Sequence, residues 1–150
     1  MPQEVVIGRD EDDMKRFGKK ALAYIGKQWV RMGHLVSLSN PVMMDTARSH
    51  VVLICGKRGS GKSYTLAVIA EELTNQSEEV KQNIAGLIFD TMGIFWTMAY
   101  RNDKEIELLR QWQLKPKSLP VVVYVPYGYV TKFEKFGINA KPFALHVPDI

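Results

Sequence analysis

The sequence holds a single cysteine, so no disulfide can close within the chain, and small secreted scaffolds stapled by several bridges are excluded. No apolar run approaches the roughly 20 residues that a membrane-spanning helix needs. The first thirteen residues are polar and acidic rather than a basic stretch followed by an apolar one. That pattern gives no secretory signal and makes the cytoplasm the expected compartment. Internal repeats and low-complexity tracts are missing, and so is a strong charge of either sign. Lys and Arg number 20 against 16 Asp and Glu, a net charge of +4. An excess that small is compatible with nucleic acid without arguing for it. What is present is 150 residues, 46% hydrophobic and 10% aromatic, enough for one packed domain.

Within that ordinary composition one stretch stands out. Gly56-Lys57-Arg58-Gly59-Ser60-Gly61-Lys62-Ser63 fits the phosphate-loop pattern of glycine, four residues, glycine, lysine and a hydroxyl residue. Val51 to Cys55 precedes it as a β-branched apolar run that reads as a buried strand, and a helical pattern follows. A triphosphate needs donors at short range, and backbone N–H groups approach it where Gly56, Gly59 and Gly61 leave out a Cβ. The helix starting near Lys62 offers unpartnered N–H groups and the positive end of its dipole. Lys62 adds an ammonium for the β- and γ-phosphates, and the Ser63 hydroxyl is a ligand for Mg²⁺. ATP with Mg²⁺ is the expected cofactor pair. A plain glycine-rich turn explains the strand-to-helix connection but not the lysine and hydroxyl.

Taken in order, Glu4 to Gly8 predicts a brief strand, Arg9 to Asp13 a solvated turn or helix start, and Met14 to Lys20 a short helix. Ala21 to Gly26 and His34 to Leu38 predict strands punctuated by Gly26, Gly33 and Asn40-Pro41. Residues 1–44 are thus expected to form a small, barrel-like β-rich segment, and residues 45–150 the N-terminal part of an ATPase domain. After the loop, Leu66, Ile69, Ala70 and Leu73 make one apolar helical stripe, with Glu71 and Glu72 toward water. Ile84 to Asp90 predicts a second buried strand, returning parallel in a right-handed βαβ unit. Thr91 to Trp96 reads as a loop or helix start, Asp103 to Gln113 as a helix, Val121 to Val125 as a third buried strand, Tyr129 to Phe136 as a short helix, and Phe143 to Val147 as a last strand. The fold class is α/β: an incomplete, RecA-like phosphate-loop parallel sheet behind a small β-rich segment.

Four kinds of residue carry two readings each. Asp90, ending an apolar strand, is either an early metal-holding aspartate or a cap for the turn in which Gly93 supplies the special backbone. Cys55 reads as a small buried hydrophobe rather than a redox or metal group. His50 reads as a satisfied structural histidine before a catalytic one. Trp96, Tyr100 and Trp112 fit core packing better than a stacking platform for single strands.

The run His50 to Thr65, followed by Ile88-Phe89-Asp90-Thr91-Met92-Gly93, resembles the HerA/FtsK superfamily of hexameric DNA-translocating ATPases, and its HerA-type branch in particular. The match rests on the histidine before the loop strand, on the loop itself, and on an aspartate followed by a glycine at the end of the next strand. Arg58 stands where the family often has threonine, and Ile94 where it often has an acid. The resemblance implies an ATPase or helicase that couples hydrolysis to DNA movement in a homo-hexameric ring. It also implies DNA held by backbone contacts and a nuclease partner. The nucleotide is then expected on Gly56, Lys57, Arg58, Gly59, Ser60, Gly61, Lys62, Ser63, Tyr64 and Thr65, the metal on Ser63, and the catalytic work on Lys62 and Asp90.

An ATPase of this type also needs a glutamate beside its metal aspartate, a polar sensor and an arginine finger from a neighbouring subunit. None is recognisable after Val121, and only Arg101 or Arg110 offers a finger. The chain is therefore expected to be the N-terminal portion of a longer ATPase that binds nucleotide more readily than it turns it over. The competing class is a compact phosphate-loop kinase or nucleotide-dependent switch that does not act on DNA, with Asp90 as its metal acid.

Overall fold

The computed structural model describes residues 3–144, which fall into two compact units dividing between Leu87 and Ile88. In the first unit, β1 (Val5–Ile7) leads to helix α1 (Glu11–Phe17), then to the long strands β2 (Leu22–Met32) and β3 (Leu35–Asp45). These make a three-stranded sheet in the order β1-β3-β2, with β1 parallel and β2 antiparallel to β3. Helices α2 (Lys62–Thr74) and α3 (Glu78–Lys81) complete the unit.

The expected pieces at 21–26 and 34–38 are one continuous hairpin turning at Gly33-His34. Pro41 does not break it. The register shifts between Tyr24 and Gly26 and again between Lys27 and Trp29, so Pro41 pairs with Lys27 at the margin of a bulge, where a missing N–H is tolerated. Asp10 starts α1 by accepting the Asp13 N–H at 2.7 Å, the cap geometry that a helix after a charged turn favours.

The closed core of this unit is polar as well as apolar. Leu22 and Ala23 are buried, and so is Asp45 at the end of β3. Asp45 pairs with Arg9, whose Nε donates at 2.9 Å and whose terminal nitrogen also contacts the carboxylate; neither side chain has any exposed surface. His50 Nε2 lies 2.7 Å from the other carboxylate oxygen, and the N–H groups of Ala47 and Arg48 donate to Asp45 at 3.2 and 3.1 Å. Arg9 further donates to the carbonyls of Gly18, Lys20 and Ala21. The Ala21 carbonyl also accepts from Thr46 N and Oγ1, which holds Ala21 at φ 53, in a region costly to a residue with a Cβ. Around this centre Arg48 binds Asp13 through both Nε and a terminal nitrogen, and Arg9, Arg16 and Arg48 crowd the Phe17 ring. The end of β3, α1 and the approach to the phosphate loop are therefore one knot.

Helix α2 meets the same sheet from its other end. Glu72 Oε2 accepts the Tyr24 N–H at 3.0 Å, and Gln76 Nε2 donates to the Leu22 carbonyl at 3.0 Å. Leu22 and Tyr24 turn these main-chain groups to the side of β2 away from β3, so a side chain in the last turn of α2 and one just past its end satisfy an open sheet edge. Glu72 was expected to face water and instead serves this edge.

Two expected strands do not form. Residues 51–55 and 84–90 are extended but join no sheet, so no βαβ unit is built on them. Val51 is fully exposed, Leu53, Leu87 and Phe89 are largely so, and Cys55 is exposed rather than buried. β-branched and aromatic residues favour a pleated strand, yet a strand is held by a neighbour's hydrogen bonds, and no described strand lies beside these two.

In the second unit a 3-10 turn (Phe95–Ala99) and helix α4 (Ile106–Gln111) precede β4 (Val123–Pro126), helix α5 (Val130–Glu134) and β5 (Ala140–Phe143), with β4 and β5 parallel. Leu119, Val125 and Ile138 form its small core. Trp96 packs against Tyr100, Phe133 and Phe136 at ring separations of 5.7 to 6.1 Å, the packing role expected for Trp96 and Tyr100. The last strand falls earlier than the expected Phe143 to Val147, whose final three residues lie outside the described residues.

Burial by itself would raise the Asp45 pKa, but the hydrogen bonds from His50 and Arg9 outweigh it and hold the carboxyl below its ordinary value. Arg48 lowers Asp13 by its hydrogen bonds. Both folded-state values lie below the unfolded ones, about 3.9. The stabilisation is thus complete above that pH and is lost as pH falls through the lowered values. Asp45→Asn leaves Arg9 buried without a counter-charge and is expected to cost about 3–5 kcal/mol, a large part of a small unit's stability. Urea unfolding at neutral pH and below the carboxylate range checks both points: the wild type loses stability in acid, and Asp45→Asn loses less of what remains.

Candidate nucleotide site

The loop from Gly56 to Ser63 is exposed apart from Lys62, and it turns on two glycines in left-handed backbone, Gly59 at φ 79 and Gly61 at φ 87. A Cβ on Gly56 would fall 3.2 Å from Ser60 Cβ and nearer still to its hydroxyl. The three glycines expected to matter thus matter for different reasons: two permit the turn and one permits the chain to close on itself. Ser60 N donates to the Lys57 carbonyl at 3.2 Å and sets the turn.

Gly61 is the N-cap of α2 and supplies no side-chain cap; its carbonyl accepts from Thr65 N at 2.9 Å and Thr65 Oγ1 at 3.2 Å. The first turn of α2 carries no acid, so nothing on it competes with a bound anion for the helix N-terminus. Lys62 folds back, its ammonium donating to the Gly56 and Lys57 carbonyls at 2.8 and 2.9 Å. An ammonium has three donors, which leaves one for a phosphate. No hydrogen bond to another described residue occupies the Ser63 hydroxyl. These groups suit a phosphate with a hydrated Mg²⁺: a cradle that a Cβ would fill, open N–H groups, a poised cation and an available hydroxyl. Among the described residues no group of three His, Cys, Asp or Glu is arranged to hold a metal ion. Magnesium would accordingly enter with the phosphates and keep much of its water, as its coordination chemistry favours. Arg58 and Tyr64 are exposed on the loop and the first helical turn.

Asp90 lies in the second unit. Its Oδ2 accepts the Phe95 N–H at 2.7 Å, Gly93 takes φ 65, and Trp96 Nε1 donates to the Gly93 carbonyl at 2.8 Å, so the carboxylate caps the turn into the 3-10 segment. Its Oδ1 is buried and has no hydrogen-bond partner. One oxygen therefore builds structure while the other is buried without a partner among the described residues.

Sequence reasoning passed over Arg9 and Asp45. Arg9 was read into a solvated charge run, and Asp45 marked only a boundary. The available signal was an acid directly after the apolar Val42-Met43-Met44, followed by a short polar turn, where a carboxylate commonly gathers backbone N–H groups. His50 is the structural histidine expected, and its partner is that carboxylate.

A glycine loop of this geometry, with its lysine and helix start, defines a phosphate-loop nucleotide-binding protein. The family model described as the central domain of helicase HerA matches residues 30–128. The chain belongs to that family, whose ATPases are of the HerA/FtsK type and characteristically use ATP and Mg²⁺. No curated protein and no solved structure matches it. Among the described residues no helix is long and apolar enough to cross a membrane.

Gly56→Ala is expected to push Ser60 aside and misplace the donors, weakening ATP binding by about 10- to 100-fold. Calorimetric titration measures it, and an unchanged circular dichroism spectrum shows that the exposed loop alone is altered.

Proposed function

We propose that this chain binds Mg–ATP on Gly56–Ser63, together with Tyr64 and Thr65, as the nucleotide-binding part of a HerA-like DNA translocase. The full machine works as a homo-hexameric ring, coupling hydrolysis to movement of DNA that it holds by the backbone, with a nuclease as a further partner. The observation carrying this reading is the arrangement at the loop: Lys62 drawn onto the Gly56 and Lys57 carbonyls at the open N-terminus of α2, within a segment matched by the HerA central-domain model. The finer fold in this proposal is the RecA-like parallel sheet, with residues 1–44 as the β-rich segment and 45–150 as the start of the ATPase domain.

Ground-state contacts from the loop bind ATP and the transition state alike, and uniform binding does not accelerate hydrolysis. Acceleration needs a group that orients water and a cation at the developing charge, and an arginine finger contributes about 10³–10⁵ in rate. Lys62 and Ser63 address phosphate and metal, and these are ground-state contacts. The buried, unpartnered Oδ1 of Asp90 favours a second reading, a compact phosphate-loop kinase or switch acting as a monomer with Asp90 as its metal acid.

Removing the ammonium by Lys62→Ala is expected to weaken ATP binding roughly 10- to 150-fold, the range for a hydrogen bond to a charged group. Equal affinity in calorimetry for variant and wild type would overturn the nucleotide site. Steady-state hydrolysis separates the two readings. Slow turnover by the isolated chain fits a ring component, whereas turnover of about one per second, a common enzyme rate, that vanishes in Lys62→Ala fits the compact enzyme.

Duplex DNA should bind weakly, without sequence preference, and ever more weakly as salt rises, because phosphate contacts release counterions. Fluorescence anisotropy over a salt series reads this, and selective binding that survives high salt contradicts the translocase reading.

A further inference from the structure

The phosphate loop and the edge of β2 meet the two ends of one helix. Lys62 opens α2 and its ammonium closes on the Gly56 and Lys57 carbonyls, while Glu72 stands in the last turn and Gln76 just past it. Glu72 comes ten residues after Lys62, about 15 Å along the axis at ~1.5 Å per residue. Little packing holds the helix in between. No residue of α2 is buried, Leu66 of its apolar stripe is 38% exposed, and Ser63, Tyr64 and Thr65 are exposed. The direction of the open N-terminus therefore depends on how the far end is held.

That end is built as a clamp. Glu72 Oε2 accepts the Tyr24 N–H at 3.0 Å, and its Oε1 accepts from Asn75 Nδ2 at 2.6 Å, so both carboxylate oxygens are held. Gln76 Nε2 donates to the Leu22 carbonyl at 3.0 Å and to the Glu72 carbonyl at 3.2 Å, joining strand to helix through one amide. The bond from Tyr24 has an ionised acceptor and is the stronger kind. The strand side does not follow the helix, because Leu22 is buried and Tyr24 is paired with Met43 on β3. A helix released at Tyr24 pivots on the Leu22 contact. A tilt of about 5° carries its loop end roughly 1.3 Å over that length, and a misplacement of about 1 Å can cost on the order of 100-fold at a reacting site.

We propose that Glu72, together with Gln76, is a positioning residue for the phosphate loop: the clamp on β2 aims the α2 N-terminus at the phosphates, and bound nucleotide in turn holds the clamp shut. This rests on the nucleotide reading above and adds to it a coupling between that site and the β2 edge. Such a coupling is reciprocal, so each end strengthens the other by the same factor.

Two measurements on the purified 150-residue chain test it. In the wild type, saturating Mg–ATP is expected to slow hydrogen exchange of the Tyr24 amide about 5- to 20-fold while leaving the far part of the hairpin, Trp29 to Leu38, unchanged. In calorimetry, Glu72→Ala is expected to weaken ATP binding by a comparable factor. Glu72→Gln keeps an acceptor oxygen for the Tyr24 N–H and should recover most of the affinity. Gln76→Ala should weaken binding in the same direction. Tyr24 exchange indifferent to ATP, or slowed no more than the far hairpin, would overturn the proposal, and that experiment needs no variant to fold. Wild-type affinity in Glu72→Ala, or a Glu72→Gln variant as weak as Glu72→Ala, would overturn it as well. If Lys62→Ala loses ATP binding while Glu72→Ala keeps it, the nucleotide site stands and the clamp alone falls. If the wild type binds no ATP, both readings fall.

Discussion

The Asp45 side chain has no exposed surface, and a buried carboxylate is stable only when its charge and lone pairs are answered. Here the answers come from Arg9, His50 and two backbone N–H groups, drawn from the segment before α1 and the turn after β3. Each partner is thereby placed. Arg9 gathers the carbonyls that end the α1 connection, and His50 is fixed at the point where the chain sets out toward the phosphate loop. The pair ties the segment before α1 to the end of β3, and removing either partner would leave a buried charge unanswered.

The loop inherits its setting from both sides. Upstream, the chain leaves the Asp45 knot through His50. Downstream, α2 carries the loop's lysine at its start, and the β2 edge is gripped by Glu72 in its last turn and by Gln76 just past its end. A helix tethered at its far end to a sheet presents its N-terminus in a defined direction, and a phosphate site made of N–H groups depends on that direction. The β-rich segment and the loop fall in one compact unit.

The phosphate loop was legible in the sequence because its chemistry is local: glycines where the chain turns and a lysine where the helix begins. The α2 helix, the brief strand at Val5, α1 and the first halves of both hairpin arms were legible from periodicity and turn residues, while β2 runs on past Gly26 to Met32 and β3 past Leu38 to Asp45. Residues 51–55 and 84–90 misled because Val51, Leu53, Leu87 and Phe89 report a preference for strand geometry and burial, while a ladder is a property of two strands. The Arg9–Asp45 pair was illegible for a related reason. Its members are 36 positions apart, and an isolated arginine or aspartate looks the same whether it faces water or closes a core. Asp90 fell between: its turn-capping geometry was foreseeable from the Gly93 that follows, but the buried, unpartnered Oδ1 was not.

The edge cover on β2 has a consequence for synthesis. Its second half, Gln76, lies 54 residues after the Leu22 carbonyl it satisfies. At about 5–20 residues per second, roughly 3 to 11 s pass between the making of that strand and the making of the side chain that shields it. During that interval a nascent β2 has one side free for any other extended segment nearby, including the same strand on a neighbouring ribosome of the same message. The order in which the chain is written thus leaves this hairpin most open to wrong pairing before α2 exists, and makes the arrival of α2 the step that ends the hazard.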